Sequence, residues 1–225
     1  MLLLIKIGRM MNKNILFIGA GGFASECYMY LQDRISTGEK LNIKGFLSTS
    51  NDLEPYGLSH LFLGHYNTYE FKENDYVIIA IGSCNARKNI YEELKVRNVK
   101  FYNLISPKAY IPNSEGLGEC TIIAPFVTIA ANVKFGIGNV VNSHSGIGHD
   151  TKLGNFNIIS SQTDICGFAT IGDENFCGSR ISILPHVKIG NNNKISAGSV
   201  MYKSCKNNCV MQGVPALKIC NTEDL

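Results

Sequence analysis

From Ile105 onward an apolar residue returns at every sixth position of the chain. The series runs Ile105, Ile111, Leu117, Ile123, Ile129, Phe135, Val141, Ile147, Leu153, Ile159, Ile165, Ile171, Cys177, Ile183, Ile189, Ile195 and Met201. All seventeen slots are filled and none is displaced by an insertion. Odds of one-half per slot would give this register by chance in roughly one case in 10⁵, so the period is structural. A six-residue period fits neither a helix nor an ordinary strand. It fits a short flat strand followed by a turn, three of which close a triangular coil of about 18 residues. The slot points into the prism and stacks on its counterpart one coil away. No coil can bury its face alone, so stacking supplies the core. The pattern predicts an all-β left-handed parallel β-helix over 104–203. Gly118, Gly154, Gly172 and Gly190 follow slots and are read as corner residues with positive φ. The unbroken register predicts smooth prism faces without an overhanging loop. A site would then be built from side chains on faces and corners, supplemented by a neighbouring subunit.

The pattern before Ile105 differs. Asn14–Ile18 reads as a short buried strand, and Ser25–Leu31 as a helix. Between them, Gly19, Gly21 and Ala24 have the spacing G-x-G-x-x-A, with Gly22 inside it. Glycines there let backbone approach a phosphate at a helix N-terminus. The same residues also suit a tight strand–helix turn with no ligand. The next strand is placed at Ile43–Leu47 and ends in Ser48, where a dinucleotide site would carry an acidic residue. This argues against NAD as a redox cofactor. Tyr76–Gly82 is the clearest buried strand here, followed by a helix from Ala86 to Val96 with Arg87 in its first turn. Ligands bind at strand ends in open parallel sheets, so Gly82 and Arg87 become candidates for a phosphate or carboxylate, beside the reading of Arg87 as a solvated helix charge. The order of elements predicts an α/β Rossmann-like domain over 11–103, with 204–225 as a C-terminal tail.

Composition narrows the function. Hydrophobic residues are 45% and charged residues 17%, which excludes a disordered chain. Twenty-one basic and 18 acidic residues leave a net charge of +3, too balanced for a nucleic-acid surface. The eight cysteines include no C-x-x-C pair, so reduced thiols in a cytoplasmic protein are expected. The apolar run Met1–Gly8 is too short for a membrane span, so no membrane insertion is expected. Residues 1–10 are read as an extension preceding the domain.

A G-x-G-G-x-x turn, a long hexapeptide run and the terminal Gly213-Val214-Pro215-Ala216 together make the chain similar to the sialic-acid and bacillosamine-type sugar acetyltransferases, from about residue 13 to 219. That resemblance implies a homotrimer using acetyl-CoA on a nucleotide-linked sugar. The first domain would hold a UDP- or dTDP-sugar through Gly19, Gly21, Gly22, Ser48, Gly82 and Arg87. It also implies His149 as general base with Asp150 as its acidic neighbour, and Asn142 and His144 as polar contacts to substrate. Gly167 lies 18 residues beyond His149 and is a candidate oxyanion donor. The cofactor groove would include Gly167, Ile158, Ser179, Ala197 and Gly198. Ile158 stands where some members carry a second histidine. N-acetylation of a 4-amino sugar is the first reading and O-acetylation of a sialic-acid-type sugar the second. A γ-carbonic-anhydrase-like zinc site is a remote alternative, since His144 and His149 are five apart. Its third ligand fails, because no histidine lies between His65 and His144. A non-catalytic β-helix binding protein is equally remote.

Overall fold

The computed structural model describes residues 13–112 and 116–224. The extension expected at 1–10 lies outside them. The N-terminal unit consists of β1 (Lys13–Ile18), α1 (Gly22–Ser36), β2 (Leu41–Leu47), β3 (Asp75–Ile79), α2 (Cys84–Val96) and β4 (Lys100–Phe101). These strands form one parallel sheet in the order β2-β1-β3-β4. Ile15 to Ile18 are all buried, as expected of a central parallel strand covered on both faces. The turn after β1 needs its glycine. Gly19 has φ +111°, and a Cβ there would stand 2.6 Å from the Ala80 carbonyl oxygen.

Asp75, at the start of β3, is buried. It accepts hydrogen bonds from Lys44 Nζ at 2.9 and 3.0 Å, Asn14 Nδ2 at 3.1 Å and the Lys72 N–H at 3.0 Å. Burial alone would raise its pKa. The bonds from Lys72, Lys44 and Asn14 overcome this and hold the carboxyl below its ordinary value.

The second unit is the β-helix, whose ladders link residues 18 apart. On the first face Ile129, Ile147, Ile165, Ile183 and Met201 stack in parallel register. The second face stacks Phe135, Leu153, Ile171 and Ile189. Ile105, Ile123, Val141, Ile159, Cys177 and Ile195 line the third. Every slot from Ile123 to Met201 is buried. Ile105, Ile111 and Leu117 are only partly buried, because they sit in the end coil. After Met201 the register shortens by two residues. Cys205 bridges to Ile189 and Met211 pairs with Ile195, so the ladder runs on to Met211. An antiparallel hairpin, Cys209–Gly213 with Ala216–Asn221, then closes the chain.

The corners correct one expectation. Positive φ occurs at every sixth residue, and bulky side chains occupy most of these positions: Phe126, Asn132, His144, Asp150, Phe156, Gln162, Phe168, Glu174, Arg180, His186 and Asn192, with Gly138 and Gly198 completing the series. The glycines that directly follow slots do not have positive φ. They are needed for close approach between coils: a Cβ on Gly118 would lie 2.2 Å from Gly136 O, and one on Gly154 would lie 2.7 Å from Gly172 C. Inside the corner between the second and third faces, Asn139, Asn157, Asn175 and Asn193 form a buried ladder. The carboxamide oxygens of Asn139, Asn157 and Asn175 each accept both the backbone N–H and the Nδ2 of the asparagine one coil later, at 2.9 to 3.1 Å, and that of Asn193 accepts the Cys209 N–H at 2.8 Å.

The third face is not bare. Its outward residues Leu104, Ile122, Val140 and Ile158 are buried in a cluster with Ala20, Ala24, Cys27 and Leu31 of the first unit. Burying each such side chain contributes about 2 kcal/mol, so the two units pack as one body. This places Ile158 beneath the N-terminal unit and removes it from any cofactor groove. Arg87 is corrected as well. It is fully buried and donates to the carbonyls of Ile79 in the sheet and of Gly138 and Cys120 in the β-helix. Its guanidinium ties the two units together and does not face a ligand; burial holds its pKa below the ordinary arginine value.

Candidate active site

His149 stands on the corner between the first and second faces, with its side chain 57% exposed. Asp150, the next residue, has φ +58°. That left-handed turn brings two consecutive side chains together, and His149 Nδ1 lies 2.8 Å from Asp150 Oδ2. The other carboxylate oxygen accepts from Asn132 Nδ2 at 3.2 Å. Hydrogen bonds from His149, then from Asn132, hold the Asp150 carboxyl below its ordinary pKa. With Nδ1–H donated to the carboxylate, the Nε2 lone pair is left to accept a proton.

The ring rests on Gly167, one coil further on. A Cβ there would stand 2.9 Å from both Cε1 and Nε2 of His149. Phe168 meets the ring edge-on with centroids 5.0 Å apart, and His186 stacks on Phe168 at 4.9 Å. The Gly167 carbonyl accepts from the His186 N–H, while its own N–H has no acceptor among the described residues. The histidine–carboxylate pair thus lies beside an available backbone donor.

Asn142 and His144 occupy a different corner, between the third and first faces. His144 has φ +61° and stacks on Phe126 at 4.9 Å. Ser179, Ala197 and Gly198 belong to that same corner in later coils, two and three coils above. Within one chain they are a face away from His149. At the N-terminal unit, Gly21 caps α1 with no side-chain hydrogen bond, and the Tyr56 hydroxyl lies 3.0 Å from where a Cβ of Gly22 would be. Ser48 follows β2 and its N–H donates to Gly64 O. Gly82 lines a cleft of about 640 Å³ together with Ser83, Asn85, Glu174, Phe176 and Lys194. No group of three or more His, Cys, Asp and Glu side chains among the described residues is placed to hold a metal. None of the described helices is long and apolar enough to cross a membrane.

A larger groove, about 820 Å³, opens beside the His149 corner on the second face. Asn132, Lys134, Asp150, Lys152, Phe168, Thr170 and His186 line it. Asn132, Phe168 and the lysines were not singled out from the sequence. The signal was present: Asn132 and Phe168 lie 18 residues before and after Asp150, which is one coil each way.

Fold and site together define a hexapeptide-repeat left-handed β-helix protein carrying a Rossmann-like N-terminal domain. Residues 14–94 match the family described as the PglD N-terminal domain. Among curated protein sequences none matches the chain. Solved structures similar in fold include PerB from Caulobacter crescentus in complex with CoA and GDP-perosamine, with 22% identity, a TM-score of 0.82, and coverage of 92% of this chain and 97% of that one. WeeI from Acinetobacter baumannii AYE is 21% identical with a TM-score of 0.80, covering 92% and 100%. The acetyltransferase domain of PglB from Neisseria gonorrhoeae FA1090 is 19% identical with a TM-score of 0.78, again covering 92% and 100%.

Proposed function

We propose that this chain is an acetyl-CoA-dependent N-acetyltransferase acting on a nucleotide-linked 4-amino sugar for surface glycan synthesis, working as a cytoplasmic homotrimer. The observation that carries the reading is the His149–Asp150 pair, with the imidazole held over Gly167 on an exposed corner. Two similar folds support it: PerB was solved with CoA and GDP-perosamine, and the PglB domain with acetyl-CoA.

The chemistry follows from the geometry. An amine at neutral pH is largely an ammonium ion and must lose a proton to attack a thioester. That first proton is released to solvent; as the free amine attacks, His149 Nε2 accepts the second proton that the nitrogen must shed, while Asp150 steadies the imidazolium. The amine nitrogen bonds to the acetyl carbon, and the Gly167 N–H is the nearest donor for the resulting oxyanion. Collapse breaks the carbon–sulfur bond, and the imidazolium returns a proton to the CoA thiolate. Asn142, His144, Ser179, Ala197 and Gly198 join this site only across a subunit boundary, which is why a trimer belongs to the reading. Gly19, Gly21, Gly22, Ser48 and Gly82 at the strand ends would hold the nucleotide.

The test is a panel of UDP-, dTDP- and GDP-linked amino sugars incubated with acetyl-CoA and read by mass spectrometry. A gain of about 42 daltons on the sugar nitrogen, one acetyl group in place of a hydrogen, is the expected result. Acetylation of free sialic acid with no nucleotide sugar turned over would replace this reading with O-acetylation.

A further inference from the structure

The second face of the prism carries an unneutralised column of lysines. Lys134 and Lys152 are paired directly across adjacent parallel strands, followed by Thr170 and then Lys188 in the same column. All three lysines are exposed. Adjacent strands lie about 4.8 Å apart, so the Lys134 and Lys152 side chains leave the sheet from neighbouring positions on the same face. Like charges directly opposite one another destabilise a sheet. Some lysines elsewhere are matched with acids, Lys88 with Glu174 at 2.7 Å, Lys95 with Glu119 at 2.5 Å and Lys108 with Asp33 at 2.7 Å, and others, such as Lys194 and Lys206, stand singly on the surface. Lys134, Lys152 and Lys188 have no carboxylate partner among the described residues.

The column also has a place to act. Lys134, Lys152 and Thr170 line the 820 Å³ groove, and its one lining carboxylate, Asp150, is already engaged by His149 and Asn132. The groove therefore offers ammonium donors and a hydroxyl with no internal anion to satisfy them. Phe168 and His186, stacked nearly parallel at 5°, form its rim towards the His149 corner.

We propose that Lys134, Lys152 and Thr170, with Lys188 at the far end, form a wall that binds the pyrophosphate of a ligand delivered to the His149 corner. Two sources share that chemistry: the nucleotide end of CoA and the diphosphate of a nucleotide sugar. The inference rests on the acetyl-transfer reading for the identity of the ligand, and on the lysine column alone for the class of group bound.

The experiment uses the full-length protein and the variants Lys134→Gln, Lys152→Gln and the double variant. Calorimetry with inorganic pyrophosphate and with adenosine 3′,5′-bisphosphate reads the wall without any turnover. Binding by the wild type that weakens about tenfold in each single variant, and falls as salt rises, is the expected result. Melting temperatures of the ligand-free variants should hold or rise, since a like-charge contact has been removed; a merely structural role would lower them. Kinetics then separates the sources. A raised KM for acetyl-CoA with a reduced preference over acetyl-pantetheine, which lacks the pyrophosphate, assigns the wall to the cofactor. A raised KM for the nucleotide sugar assigns it to the acceptor. Absence of pyrophosphate binding in the wild type, or equal binding in the double variant, overturns the proposal. Pyrophosphate binding without acetyl transfer to any sugar would leave the wall standing and remove the proposed reaction.

Discussion

His149 and Asp150 are neighbours in sequence, and neighbouring side chains ordinarily diverge. They meet because residue 150 turns the corner with φ +58°, a conformation that aspartate tolerates better than most residues. Adjacency alone could not tell that Asp150 orients the ring, and the role of His149 came from a family likeness joined to its corner position. Arg87 was misread for a related reason: a basic residue on the first turn after a strand suits a phosphate, and only the packing of α2 against the β-helix reveals that its donors are consumed by carbonyls. At this scale, His149→Ala should lower kcat by about 10²-fold or more while the melting temperature holds, as steady-state kinetics and thermal melts would read. Gly167→Ala is a sharper probe. A methyl there would stand 2.9 Å from the imidazole and push it off its seat, so kcat should fall by about tenfold or more with acetyl-CoA affinity little changed.

The elements were more legible than the site. The six-residue period located the interior slots because a prism core repeats identical environments, whereas the outer face carries no period of its own. That is why the burial of Leu104, Ile122, Val140 and Ile158 beneath the N-terminal unit, and the exposure of Phe176 and Lys194 further along the same face, were not foreseen. The glycines after slots were located correctly but explained wrongly, as close approach replaced positive φ. Gly154→Ala should therefore destabilise the β-helix by about 1–3 kcal/mol through overpacking, seen as a lowered denaturation midpoint. In the sheet, Asp75 has a folded-state pKa below its ordinary value, so the unfolded chain takes up the proton first. Its contribution is complete above the ordinary carboxylate pKa and is lost as pH falls through the depressed one. Denaturation midpoints of the wild type should drop across that acidic window, and Asp75→Asn should be less stable at neutral pH with a flatter acid dependence.

Across the whole molecule, the two units share one apolar interface pinned by a buried cation. Arg87→Met should keep the volume yet leave the carbonyls of Ile79, Gly138 and Cys120 without their donor. A loss of about 2 kcal/mol is expected, along with a broader unfolding transition as the N-terminal unit parts from the prism early; a single sharp transition at the wild-type midpoint would argue against the clamp. The asparagine ladder has a different consequence. Because each carboxamide recognises its counterpart one coil on, the prism measures its own length in whole turns. Such a chain can be lengthened or trimmed by eighteen residues as a unit, much as a stair loses one tread and keeps its pitch. Removing six would rotate everything downstream onto the wrong wall. Excision of 170–187 should accordingly leave a folded β-rich protein by circular dichroism, whereas excision of 170–175 should not.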